Sequence, residues 1–179
     1  SEGQEILRGT ARDFLSANCP ASVVREMEED EKGYSPELWQ KIAELGWIGL
    51  IFPEEYGGGG GSFLDLAVLL EETGRALVPG PFLSTVLGGL LVLEASSEEQ
   101  RQKVLPNLAQ GRIILTVALN ERESGLNPTY LVTRATARGS YYVISGAKLC
   151  VPEAHLADYI ICPTRTTDTG SSEGLTLFL

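Results

Sequence analysis

A single histidine and only three cysteines in 179 residues remove several kinds of chemistry at once. Cys19, Cys150 and Cys162 are odd in number and have no metal-type spacing, so buried free thiols are expected rather than a disulfide framework. His155 has no partner histidine for a metal site, and a surface or packing role suits it better. Neither a Ser-His-Asp nor a Cys-His arrangement is present, and no nucleophile elbow, so hydrolytic acyl transfer has no support. Positive charge is also sparse: 14 Lys and Arg against 24 Asp and Glu leave a net charge of −10. Nucleic-acid backbones are bound by clustered cations, so this balance argues against a general nucleic-acid binder. Long apolar runs are missing too. Thr85 to Leu93 is broken by glycines and flanked by Pro81 and Glu94, so no membrane insertion is expected. The start, Ser1 to Arg8, is polar and acidic. It has neither region of a signal peptide, which predicts a cytoplasmic protein or a processed organellar one, in the mitochondrial matrix if the source is eukaryotic.

What is present is ordinary globular material. Hydrophobic residues make up 43% and charged residues 21%, which leaves little room for a disordered or fibrous chain. The length suits one domain, or one domain and part of another. The first two-thirds read as helices, because apolar residues recur every three or four positions and the breaks carry capping chemistry. Ile6, Leu7, Ala11, Phe14 and Leu15 mark one face of the first helix. Ser35-Pro36 opens another that carries Leu38, Trp39, Ile42 and Leu45, and Gly46 can end it in a left-handed conformation. Ser62 with Asp65, and Ser97 with Gln100, form capping-box patterns ahead of two more. Phe82 to Leu91 is apolar enough for a mostly buried helix.

After Gly111 the pattern changes to β-branched runs and short turns. At least five strands are predicted, at Ile113 to Leu119, Leu131 to Ala137, Tyr141 to Ser145, Tyr159 to Cys162 and Leu175 to Leu179, with a hairpin turn at Arg138-Gly139-Ser140. The expected fold class is α+β: an all-helical N-terminal domain, residues 1–111, followed by an antiparallel β-barrel-like domain, residues 112–179. Because the last strand runs into the C-terminus, the second domain is expected to be incomplete.

Three conspicuous features favour structural roles. The run Gly57 to Gly61 lacks both the Lys and Ser/Thr of a P-loop and the preceding strand of a dinucleotide fingerprint, so a flexible interhelical turn is expected. Glu26, Glu28, Glu29, Asp30 and Glu31 have no apolar surroundings to raise a pKa and no accompanying histidine, which suggests a solvated helix end. Trp39 and Trp47 sit at helical spacing among Leu and Ile, as core residues do.

Four stretches nevertheless point to a family. WQKIAELGWIGLIFPEEYGG (39–58), LEETGRALVP (70–79) and QRQKVLPNLAQG (100–111) are structural signatures, and TVALNERESGLNP (116–128) with ISGAKLCVPEAHLADYIICPTRT (144–166) forms the fourth. Together, over almost the whole chain, they resemble the acyl-CoA dehydrogenase family. The resemblance implies bound FAD and an acyl-CoA substrate, with α,β-dehydrogenation to a trans-2-enoyl-CoA in fatty-acid and lipid metabolism. It also implies a homo- or hetero-oligomer of related dehydrogenase subunits and an electron-transfer acceptor. Flavin or substrate contacts would fall on Val117, Leu119, Asn120, Gly125 and Leu126, with Cys150, Val151 and Pro152 beside the flavin ring. The family's catalytic base is a Glu of a C-terminal helical domain outside this chain, so no catalytic residue is assigned here.

The departures are specific. Asn120 stands where the family commonly has Thr, Arg122 where it has Pro, and Gly125-Leu126-Asn127 where it has Gly-Ser-Asp. Cys150-Val151-Pro152 replaces an aromatic-Ile-Thr, and proline cannot donate a backbone hydrogen bond. These replacements are similar to a divergent branch that includes small subunits of pimeloyl-CoA-type and steroid side-chain dehydrogenases. Two readings therefore stand side by side. One is part of an active flavoenzyme. The other is a non-catalytic partner subunit or acyl-CoA-binding module that completes the flavin site of a related subunit.

Overall fold

The structure, a computed structural model, describes residues 1–122, 130–167 and 174–179. Six α-helices come first, four of them opened by a serine cap. Ser1 and Gln4 cap α1 (Glu2–Asn18) reciprocally. Pro20 precedes α2 (Ala21–Glu29), whose acidic end is solvated as expected. Ser35 Oγ accepts from the Leu38 N–H at 3.2 Å to open α3 (Pro36–Glu44), and Gly46, at φ 72°, follows its end. Ser62 and Asp65 form the capping box of α4 (Phe63–Arg75). Then come α5 (Phe82–Ala95) and α6 (Glu98–Ala109), the latter capped by Ser97 and Gln100.

Helices α1 and α4 pack together around a buried carboxylate. Glu72 has no exposed surface, yet it receives Arg12 at 2.6 Å, Arg75 at 2.7 Å and Arg8 at 3.6 Å. A charge so placed is tolerated only with this kind of pairing. The hydrogen bonds from Arg12 and then Arg75 hold its pKa down at about 2.

Trp39 and Trp47 are core residues, packed with Leu15, Ile42, Ile48, Leu66 and Leu69. The Trp39 indole N–H also finds a partner, donating to the Gly111 carbonyl at 2.9 Å. A second cluster gathers Phe52, Tyr56, Val92, Leu105, Leu108, Leu115 and Ile161. Ile114 belongs to the first cluster and Leu115 to the second, so the chain entering the first strand is anchored in both.

The glycine run connects two helices as expected, but it is tied down. The N–H groups of Gly59, Gly60 and Gly61 donate to the carbonyls of Gly49, Phe52 and Leu50. A Cβ on Gly58 or Gly61 would collide with the backbone at Phe52 or Leu50. Glycine is needed there for close approach of two chain segments.

The strands are β1 (Leu115–Val117), β2 (Arg134–Arg138), β3 (Tyr141–Ser145), β4 (Tyr159–Arg165) and β5 (Leu175–Phe178). All five fall where the sequence placed them. Their pairing departs from the antiparallel barrel that was expected: among the described residues the sheet is mixed and open. β2 with β3, and β4 with β5, are antiparallel, but β4 runs parallel to β1 and to β2. The hairpin explains this. It turns the chain back within the sheet, and the stretch from Gly146 to Asp158 then returns it to β1 from the same end, so β4 enters in β1's direction. β3 lies at the edge with β2 as its one neighbour among the described residues, and all five of its residues are exposed.

Candidate functional site

Residues 116–122, the described part of one segment quoted above, and the segment 144–166 meet in space. β1 pairs with the first half of β4 in the register Leu115 to Tyr159 and Val117 to Ile161. Asp158 stitches the start of this pair, accepting from the Ile114 N–H at 2.7 Å and donating its own N–H to the Ile114 carbonyl at 2.9 Å. Beyond β1 the Ala118 N–H reaches the Ile161 carbonyl at 2.8 Å. The turn 149–153 then folds back over the strand end. The Leu149 N–H donates to the Asn120 carbonyl at 2.8 Å, and the Thr116 hydroxyl donates to the Pro152 carbonyl at 2.7 Å.

Helix α5 lies against this assembly because two glycines let it. A Cβ on Gly88 would overlap Leu115, and one on Gly89 would overlap the ring of Phe52. Its opposite face remains open. Leu83 is 52% and Leu87 45% exposed, so α5 is less buried than its composition implied. Between this face and the end of β1 lies a cavity of about 510 Å³. Leu87, Leu90 and Leu91 form its helix wall, with Ser84 and Glu94 along the same side. Thr116, Val117, Leu119 and Asn120 form the strand wall, and Pro152 comes from the turn. The walls are predominantly apolar, as in sites that take an organic ligand and orient it by a few polar groups.

Of the residues singled out from the sequence, Val117, Leu119, Asn120 and Pro152 therefore share one cavity. Cys150 and Val151 sit on the same turn but do not line it; Cys150 is exposed, contrary to the expectation of a buried thiol. Gly125 and Leu126 lie outside the described residues. Cys19 is buried as expected, and burial pushes its thiol pKa up. His155 is exposed, its Nε2 3.2 Å from the Lys32 carbonyl, which fits the surface role. Among the described residues no group of His, Cys, Asp and Glu could hold a metal ion.

Sequence reading missed an ion pair beside the cavity. The Glu121 side chain is fully buried, Lys148 nearly so, and Lys148 Nζ stands 2.7 Å from Glu121 Oε1. Glu121 also accepts from the Val132 N–H at 2.6 Å and the Thr133 N–H at 3.2 Å. Burial raises the Glu121 pKa, but these hydrogen bonds and the Lys148 charge outweigh it, and the carboxyl stays below its ordinary value. The available signal was two opposite charges standing next to the apolar runs of the fourth stretch.

Comparison with known proteins bears on this geometry. The model of the family described as acyl-CoA dehydrogenase, N-terminal domain, matches residues 1–112. Acyl-CoA dehydrogenase IpdE2 of Mycolicibacterium smegmatis is 41% identical over 121 residues, covering 67% of this chain and 38% of that protein. The short-chain specific acyl-CoA dehydrogenase of Clostridium acetobutylicum is 32% identical over 179 residues, covering 98% of this chain and 47% of that protein. A solved structure described as Tcur3481-Tcur3483 steroid ACAD superposes with a TM-score of 0.82 at 31% identity, over 99% of this chain and 47% of that one. The chain thus spans about half the length, or less, of the relatives it matches.

Proposed function

The chain belongs to the acyl-CoA dehydrogenase family, and we propose that it forms the N-terminal helical domain and part of the middle β domain of a flavin-dependent acyl-CoA dehydrogenase, divided near Gly111. The reaction is removal of two hydrogens from an acyl-CoA thioester to give a trans-2-enoyl-CoA. The observation that carries the reading is the apolar cavity between α5 and β1. From Ser84 to Glu94 its helix wall runs about 15 Å at the rise of an α-helix. Each methylene taken out of water along Leu87, Leu90 and Leu91 is worth about 0.8 kcal/mol. Excluding water also strengthens whatever polar contacts orient the thioester.

Fit to the flavin is uneven. Val117, Leu119 and Asn120, with Gly125 and Leu126 beyond the described residues, would hold its edge through backbone groups and the Asn120 amide. Cys150, Val151 and Pro152 would lie beside the ring. Leu126 and Pro152 offer no hydroxyl, Pro152 has no N–H, and its carbonyl is already taken by Thr116. Flavin, when bound, supplies the acceptor for hydride from the substrate's β carbon. This chain's contribution is to grip the acyl group, keep water out and present the strand end and turn.

The same Pro152 geometry favours a second reading, in which the chain is a partner that completes the flavin site of a related subunit. A similar structure whose description joins two components, Tcur3481-Tcur3483, supports that form of assembly. Both readings leave the chemical base to a Glu elsewhere in the assembly and reoxidation to an electron-transfer acceptor. No helix of the described residues is long and apolar enough to cross a membrane; a cytoplasmic location, or the mitochondrial matrix in a eukaryote, is part of the proposal.

The visible absorption spectrum of the purified chain, alone and then with any native C-terminal continuation or related subunit, tests the proposal. A flavin band that bleaches anaerobically on adding an acyl-CoA is the expected result. Flavin seen only with the partner would select the second reading. No flavin in any combination would overturn both and leave acyl-CoA binding without oxidation.

A further inference from the structure

The turn that brings Pro152 to the cavity is conformationally costly. Cys150, at φ 49°, and Glu153, at φ 46°, both have left-handed backbone without being glycine. Non-glycine residues avoid that region because Cβ crowds the carbonyl, and they stay there only when the surroundings over-determine them. Here the surroundings do so from one side. Thr116 Oγ1 donates to the Pro152 carbonyl at 2.7 Å, the Asn120 carbonyl accepts from the Leu149 N–H at 2.8 Å, and Glu121 Oε1 takes Lys148 Nζ at 2.7 Å. Glu121 is itself fixed, since the Val132 and Thr133 N–H groups hold its carboxylate to the start of the β2–β3 hairpin. The restraints on the turn thus come from the strand wall of the cavity, Thr116 and Asn120, and from the ion pair next to it.

We propose that Thr116 and the Glu121–Lys148 ion pair are positioning residues that hold the 149–153 turn in its left-handed form, with Pro152 lining the cavity. The inference rests on the reading above that this cavity takes the acyl-CoA. None of the three reacts: the ion pair acts through the turn, and Thr116, which also lines the cavity, holds the turn by its hydroxyl. The pair has a direction. The position-121 side chain must accept from two backbone N–H groups, so a carboxylate or amide can serve there and an ammonium cannot.

Cys150 reports on the turn from within it, because its thiol is free and exposed and it does not line the cavity; since the flavin ring, when bound, would lie beside it, rates are compared at equal flavin content. The test measures the iodoacetamide labelling rate of Cys150 in the native assembly, resolved by peptide mass spectrometry from Cys19 and Cys162, alongside affinity for octanoyl-CoA. Lys148→Met removes one link without touching the cavity, Thr116→Val removes another but also alters the cavity wall, and Lys148→Arg keeps the charge. Thr116→Val is therefore read by labelling, and Lys148→Met by labelling and affinity together. Labelling should change roughly fivefold in the first two, the factor that a single lost hydrogen bond is worth, and stay near the wild-type rate in Lys148→Arg. Octanoyl-CoA affinity should fall in step in Lys148→Met. Unchanged labelling in both Lys148→Met and Thr116→Val overturns the proposal, as does altered labelling with unchanged affinity in Lys148→Met. A wild-type assembly that binds no octanoyl-CoA overturns the assignment of the cavity instead, and is told apart because labelling would still separate the variants.

Discussion

Arg12 and Glu72 form a buried ion pair between α1 and α4: the guanidinium stands 2.6 Å from the carboxylate of a residue that has no exposed surface. Arg75 and Arg8 complete the arrangement around the same carboxylate. Two helices far apart in the chain thus meet at a buried acidic group, with Glu71 and Asp65 adding contacts to Arg8 and Gln4, and the consequence is a dependence on pH.

With a folded-state pKa of about 2 against an ordinary 4.5, Glu72 binds its proton more weakly in the folded chain than in the unfolded one. Its contribution to stability is full above pH 4.5 and is lost as pH falls from there toward 2. Urea unfolding midpoints should therefore drop across that interval, and Glu72→Gln should flatten the drop. At pH 7 the same substitution should cost about 2 kcal/mol, less than for a fully buried pair because the three arginines are partly solvated.

The glycines of α5 and α4 make a matched pair. Gly74 has open space where a Cβ would go, so Gly74→Ala should stabilise by about 0.5–1 kcal/mol through helix propensity and unfolded-chain entropy. Gly89→Ala gains the same term but forces a methyl into the ring of Phe52, which is fully buried. Overpacking of that kind costs about 1–3 kcal/mol, and a net loss is expected in thermal unfolding.

Leu87 separates ligand binding from folding. It lines the cavity and is 45% exposed in the fold. Leu87→Glu should leave the unfolding midpoint almost unmoved while weakening octanoyl-CoA at least about tenfold, equivalent to 1.4 kcal/mol. Isothermal titration with the native assembly reads the affinity directly. A variant that binds as tightly as wild type would place the acyl group elsewhere.

Local signals carried most of the fold. Ser35, Ser62 and Ser97 announce their helices because a cap is a contact between neighbours in sequence, and a hairpin turn is equally local. Strand positions followed from β-branched runs for the same reason. Strand direction did not: β4's parallel pairing with β1 depends on the route taken from Gly146 to Asp158, which no short motif encodes. The site divides the same way. Val117, Leu119, Asn120 and Pro152 were reached through resemblance, whereas Glu121 with Lys148 is a pairing across 27 positions that only the fold brings together. Leu83 and Leu87 misled in the other direction, because an apolar face shows that something covers it and does not say whether that is protein or ligand.

The exposed edge strand has a practical side. β3 reads Tyr-Tyr-Val-Ile-Ser, carries no charge, and offers one unpaired row of backbone donors and acceptors among the described residues. Uncharged, β-prone edges are templates for strand addition and aggregation. The chain handled by itself should therefore self-associate as its concentration rises, by growth of the sheet rather than by unfolding. Val143→Lys, at the centre of that strand, would place a charge in the growing ladder and keep the chain dispersed.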